Sequence, residues 1–71
     1  MATYKFNKYQ TWDGYEYFAI SEKTFFGWKE LKIFRLGHKL FGDFTKEDED
    51  RQYKQMMESV DRLIKAGHTV L

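Results

Sequence analysis

The sequence predicts an α+β domain: a three- to four-stranded antiparallel sheet over about residues 3–42, covered on one face by a single C-terminal helix over about 46–66. Three observations predict it. Thr45 to Gly67 repeats its apolar residues at the helical period between a capping threonine and a terminal glycine. Asp13-Gly14 stands between two stretches rich in alternating aromatic residues. No proline and no low-complexity run separates these parts, so all 71 residues read as one domain.

In the helix, Tyr53, Met56, Met57, Val60, Leu63 and Ile64 fall at i, i+3, i+4, i+7, i+10 and i+11, one stripe of a 3.6-residue repeat. Thr45 is a good N-cap with Asp48 three residues on, and Glu47 to Asp50 place negative charge where the helix dipole favours it. Arg62 and Lys65 suit the other end, and Gly67 suits the position just beyond it. Opposite charges four apart (Glu47 with Arg51, Asp50 with Lys54, Glu58 with Arg62, Asp61 with Lys65) mark the outer face.

For the sheet, Asp13-Gly14 is the strongest short hairpin signal, because a two-residue type I′ turn needs positive φ at both central positions. That turn sets Trp12 opposite Tyr15, Gln10 opposite Tyr17, Lys8 opposite Ala19, Phe6 opposite Ser21 and Tyr4 opposite Lys23. A third strand is expected over Trp28 to Leu36, with Leu31 and Ile33 on one side and Trp28, Glu30, Lys32 and Phe34 on the other. A helix there fits less well, since Gly27 interrupts it. Gly37-His38 is expected to turn the chain into a short fourth strand, Lys39 to Phe41. Thr69 to Leu71 either adds a brief strand or packs under the helix end.

Phe18, Ile20, Leu31 and Ile33 have no polar atom to satisfy when buried, so the helix is expected to cover their face. The opposite face then shows Tyr4, Trp12, Tyr15, Tyr17, Trp28 and Phe34 among Lys8, Lys23 and Lys32. Exposed apolar area of this kind marks an interaction site unless the rings pack on one another under lysine stems. The candidate site is therefore Trp12, Tyr15, Tyr17, Trp28 and Phe34 with Lys8, Lys23 and Lys32, taking another protein or a second copy as a homodimer. A single-stranded nucleic acid is the alternative partner, stacked on the rings with Lys5, Lys8, Lys23, Lys29, Lys32 and Arg35 along its phosphates.

Composition narrows the chemistry. With no cysteine and two histidines the chain lacks a disulfide or a soft-ligand metal set, and no cofactor is expected. Residues 1–42 hold seven Lys/Arg against four Asp/Glu, and residues 43–71 hold five against seven, a thin footprint for nucleic acid. Glu16 with Glu30 and His38 with Asp43 are spaced like ordinary surface residues, so no enzyme is expected and no catalytic residue is assigned. The opening Met-Ala-Thr-Tyr-Lys has no apolar stretch, and no run approaches the length of a membrane span; a cytoplasmic protein with no membrane partner is expected. In general manner, short, free of cysteine and proline and rich in Phe, Tyr and Lys, the chain resembles small virus or mobile-element proteins that bind and inhibit a host factor. The resemblance carries no motif.

Overall fold

A computed structural model describes residues 2–71; Met1 lies outside the described residues. The elements run β1 (Thr3–Gln10), β2 (Tyr15–Thr24), β3 (Gly27–His38), α1 (Lys46–Lys65) and β4 (Thr69–Val70). The strands form one sheet in the order β3-β2-β1-β4 with the single helix against one face, the α+β arrangement expected. The sheet is mixed, because β4 runs parallel to β1.

The hairpin closes differently from expectation, and much follows from it. No non-glycine residue takes positive φ among the described residues, so Asp13 does not adopt the type I′ conformation. Instead Thr11 N–H donates to Tyr15 O at 2.7 Å and Gly14 N–H to Thr11 O at 3.1 Å, with Gly14 at φ +97°. This is a three-residue loop ending on a left-handed glycine. The pairing shifts by one residue, to Tyr9 opposite Tyr17, Lys8 opposite Phe18, Phe6 opposite Ile20 and Tyr4 opposite Glu22. Because side chains alternate with period two, the shift exchanges the faces of β1. Tyr4 and Phe6 join Phe18 and Ile20 beneath the helix, where Tyr4 is buried.

A second exchange occurs within β3. Ile20 pairs with Lys32 but Ser21 pairs with Glu30, leaving Leu31 as the extra residue of a bulge. Beyond it the alternation is inverted: Phe34, opposite Phe18, is 6% exposed in the core, while Ile33, opposite Ala19, is 47% exposed on the other face. Leu31 is 50% exposed on this outermost strand. The expectation that the helix covers Ile33 and leaves Phe34 open is corrected on these positions, while Leu31 lies on the helix side as expected, lining a recess with Ile20, Ser59 and Leu63.

The expected strand at Lys39 to Phe41 is a turn. Asp43 Oδ2 accepts from His38 N–H at 3.2 Å and His38 Nδ1 accepts from Leu40 N–H at 3.1 Å, so side chains satisfy this backbone in place of a ladder. The fourth strand is the C-terminal one: Thr69 N–H donates to Ala2 O at 3.0 Å and Leu71 N–H to Tyr4 O at 2.9 Å.

The helix starts on the expected reciprocal cap, with Asp48 N–H donating to Thr45 Oγ1 at 3.2 Å and Thr45 N–H to Asp48 Oδ2 at 3.0 Å. It stops where Gly67 turns left-handed at φ +91° and His68 N–H reaches back to Leu63 O at 3.1 Å. Met56, Ser59 and Val60 are its buried residues, with Met57 and Leu63 flanking them, while Tyr53 and Ile64 lie at the rim. The core is Tyr4, Phe18, Ile20, Phe34, Met56 and Val60. Each large apolar side chain removed from water there contributes about 1.5–3 kcal/mol. On the outer face Asp61 meets Lys65 at 3.0 Å. Among the described residues the other three expected pairs do not close, and Lys46–Asp50 at 3.9 Å and Arg51–Asp48 at 3.1 Å form instead.

Candidate binding face of the sheet

One helix covers one side of the sheet, and the other side is open. On β2 the open face carries Tyr15, Tyr17, Ala19, Ser21 and Lys23; β1 adds Lys5 and Tyr9, and β3 adds Trp28, Glu30, Ile33 and Arg35, as the pairings require. Small residues make the floor: Ala19 and Ser21 are buried although the helix lies on the far side, because their larger neighbours close over them.

Rings stand around that floor. Tyr9 and Tyr17 lie side by side with centroids 5.7 Å apart, and Tyr17 Oη donates to Glu30 Oε2 at 3.1 Å. Burial pushes the Tyr17 phenol above its ordinary pKa, and the Glu30 carboxylate pushes it further, so it remains a neutral donor. Trp28 is capped by Lys5 Nζ at 4.4 Å and Lys23 Nζ at 5.3 Å from the ring centre. Towards the β1–β2 turn a groove of about 560 Å³ is lined by Thr11, Tyr15, Tyr17, Glu30, Ile33 and Arg35. Its edge is fixed by His38, on which Tyr15 packs edge-on at 5.0 Å.

Of the residues singled out in the sequence, Tyr15, Tyr17, Trp28 and Lys23 come together on this face. Trp12 does not join them; it stands 98% exposed at the apex of the β1–β2 turn. Phe34 lies on the helix side, in the core. Lys8 and Lys32 also lie there. Lys8 Nζ meets Glu16 at 3.1 Å and Glu49 at 2.6 Å, tying the start of the helix to the sheet. The Glu49 contact chiefly raises the Lys8 pKa, and Lys8 in turn lowers that of Glu49. Lys32 Nζ donates to Ser59 Oγ at 3.3 Å and lies 5.3 Å from the Phe34 ring. Sequence reasoning missed Tyr9 and Ile33 on the open face and named Lys5 and Arg35 only for the nucleic-acid alternative; the hairpin register and the β3 bulge put all four there.

The two acid/base pairings weighed in the sequence are not assembled. Glu16 and Glu30 face opposite sides of the sheet. The His38 ring is engaged at both nitrogens: Nδ1 accepts from Leu40 N–H, so Nε2 donates to Asp13 O at 2.7 Å. Among the described residues no group of three or more His, Cys, Asp or Glu side chains could hold a metal ion, and no helix is long and apolar enough to cross a membrane. Comparison of the chain with protein-family models, with curated proteins and with solved structures returns no match.

Proposed function

We propose that the protein is a non-enzymatic binding module that takes a protein partner on the open face of its sheet. The observation that carries this is the uncovered row of Tyr15, Tyr17, Trp28 and Ile33 over a floor of small buried residues. The molecule measures 40 × 26 × 14 Å. Its broad side therefore offers on the order of 1,000 Å², enough for the ~800 Å² that each partner contributes to a standard interface. Trp28 and Tyr17 are the anchors, being large rings held by lysines and by Glu30 rather than free to rotate.

Charge selects the kind of partner. Lys5 and Lys23 give the Trp28 end of this face its positive charge, while Arg35 in the groove is balanced by Glu30 and Asp13, so the Trp28 end fits an apolar patch with an acidic fringe. A second copy would bring the same excess of cations to the interface, which favours a different protein over a homodimer. A single-stranded nucleic acid would find only those three cations beside the rings, since Lys8, Lys29 and Lys32 belong to the helix side. A partner held flat against so broad a face is blocked over that area, the action of a steric inhibitor of the virus or mobile-element kind.

A photo-crosslinking residue in place of Ile33 is expected to give one discrete adduct in a lysate, while the same residue in place of Lys54, on the helix, gives none of that mass. Unlabelled wild-type protein competes for the adduct, and a Tyr17→Ala/Ile33→Asp variant does not. Equal competition by that variant contradicts the proposal.

A further inference from the structure

The β2–β3 turn adjoins the Trp28 end of the face described above, and its tip has its own chemistry. Phe25 and Phe26 form its tip between the paired residues Thr24 and Gly27, and each is 95% exposed. Their rings meet edge-on at 5.2 Å, the one ring contact that either makes among the described residues. A Cβ added at Gly27 would find nothing within 4 Å, so the tip projects clear of the body. Tight turns favour Gly, Asn, Asp, Ser and Pro, and nothing in this turn's backbone calls for two phenylalanines. They are also too exposed to contribute to folding.

Basic groups collect just behind them. Lys23 precedes Thr24, Lys29 follows Trp28, and Lys5 reaches over Trp28 from β1. Among the described residues none of these three lysines has a carboxylate within salt-bridge distance; the ion pairs involve Lys8, Lys46, Arg51 and Lys65. Strand geometry puts Lys23 and Lys29 about 7–10 Å behind the phenylalanines. An interfacial segment buries its apolar side ~5–10 Å into the headgroup and acyl boundary, a similar distance.

We propose that the Phe25-Phe26 tip docks on an anionic lipid bilayer surface, its rings entering the acyl boundary while Trp28, Lys5, Lys23 and Lys29 lie at the phosphates. The tiers match the order that a bilayer imposes: hydrocarbon deepest, indole and ammonium groups at the interface. The opposite end of the molecule is the internal comparison. It also exposes large apolar side chains, Trp12, Leu40 and Phe41, but there Asp13, Asp43 and Glu47 outnumber Lys39 and Lys46, whereas at the tip Lys5, Lys23 and Lys29 outnumber Glu22 and Glu30. Charge therefore picks one end. Nucleic-acid stacking fits the tip less well, because the phenylalanines pack edge-on to each other and Lys5 covers the Trp28 ring. A surface contact of this kind needs no spanning helix.

The test is sedimentation of the full chain with vesicles of phosphatidylcholine alone and of phosphatidylcholine mixed with phosphatidylglycerol. The wild type is expected to bind the mixed vesicles, more weakly as salt rises. In a Trp12→Phe background, Trp28 emission should shift to the blue on binding. Phe25→Ser/Phe26→Ser should lower partitioning at least tenfold with the melting temperature unchanged, and Lys23→Gln and Lys29→Gln should each lower it about fivefold on anionic vesicles. The Tyr17→Ala/Ile33→Asp variant should still bind vesicles, which separates this proposal from the open-face one. The proposal is overturned by no sedimentation with either vesicle, by equal binding of the double Ser variant, or by equal binding to phosphatidylcholine alone. An oligonucleotide shift abolished by the Ser variant, without vesicle binding, would assign the tip to nucleic acid instead.

Discussion

Gly14→Ala isolates the joint that sets the register. Gly14 sits at φ +97°, and an added Cβ would stand 2.7 Å from His38 Nε2 and 2.9 Å from its Cε1. Two costs arise. The left-handed backbone costs an L-residue about 1–2 kcal/mol. The imidazole must also move, losing its 2.7 Å hydrogen bond to Asp13 O, worth about 1 kcal/mol, and disturbing its 4.2 Å stack with Phe41. Alanine stiffens the unfolded chain and returns about 0.4–1 kcal/mol, so the net loss should be about 1–2.5 kcal/mol. For a domain of this size that lowers Tm by about 4–20 °C, at about 4–8 °C per kcal/mol. Urea denaturation should show a lower midpoint at unchanged slope. A cycle with His38→Ala separates the two costs: in that background Gly14→Ala should lose its steric part and cost about 1 kcal/mol less. A loss below about 0.5 kcal/mol, or the same loss in both backgrounds, would refute the reasoning.

Met56→Ala opens a cavity between helix and sheet and should cost about 2–5 kcal/mol, a large part of the total stability of so small a domain; Ile64→Ala, at the rim, should cost far less in the same melt. Thr45→Ala removes the cap and should cost about 1 kcal/mol, with lower helicity by circular dichroism. Asp48 and Glu49 are both held below their ordinary pKa, Asp48 by its hydrogen bonds from Thr45 and Glu49 by Lys8. Their contribution is therefore present above the ordinary carboxylate range and is lost as pH falls below about 4.5. Lys8 is raised above its ordinary 10.5, so its contribution is present below that value and is lost as pH rises beyond it. Urea midpoints across pH should show both limbs, and Glu49→Gln should flatten both.

The helix was legible because its signals are local and agree: Thr45 with Asp48 at one end, Gly67 at the other and an apolar stripe between. Strand β2 was legible too, and with it Tyr15, Tyr17 and Lys23 on the open face, since alternation within an unbulged strand needs no register. The faces of its neighbours were not. Asp13-Gly14 serves both a two-residue turn and a three-residue loop, and the one-residue difference moves Tyr4 and Lys8 across the sheet. The bulge at Leu31 has no marker in Glu30-Leu31-Lys32, yet it sends Phe34 inward and Ile33 outward. A brief strand at Thr69 to Leu71 is one of two readings there, but its parallel pairing with β1 joins segments far apart in the chain, which no local pattern encodes.

The open face is the central claim, and amide hydrogen exchange of the protein with and without its crosslink-identified partner tests it most directly. Added protection concentrated in β2 and β3 around Tyr17, Trp28 and Ile33, with the helix amides unchanged, is the predicted result. Protection confined to α1, with those strands unaffected, would contradict it.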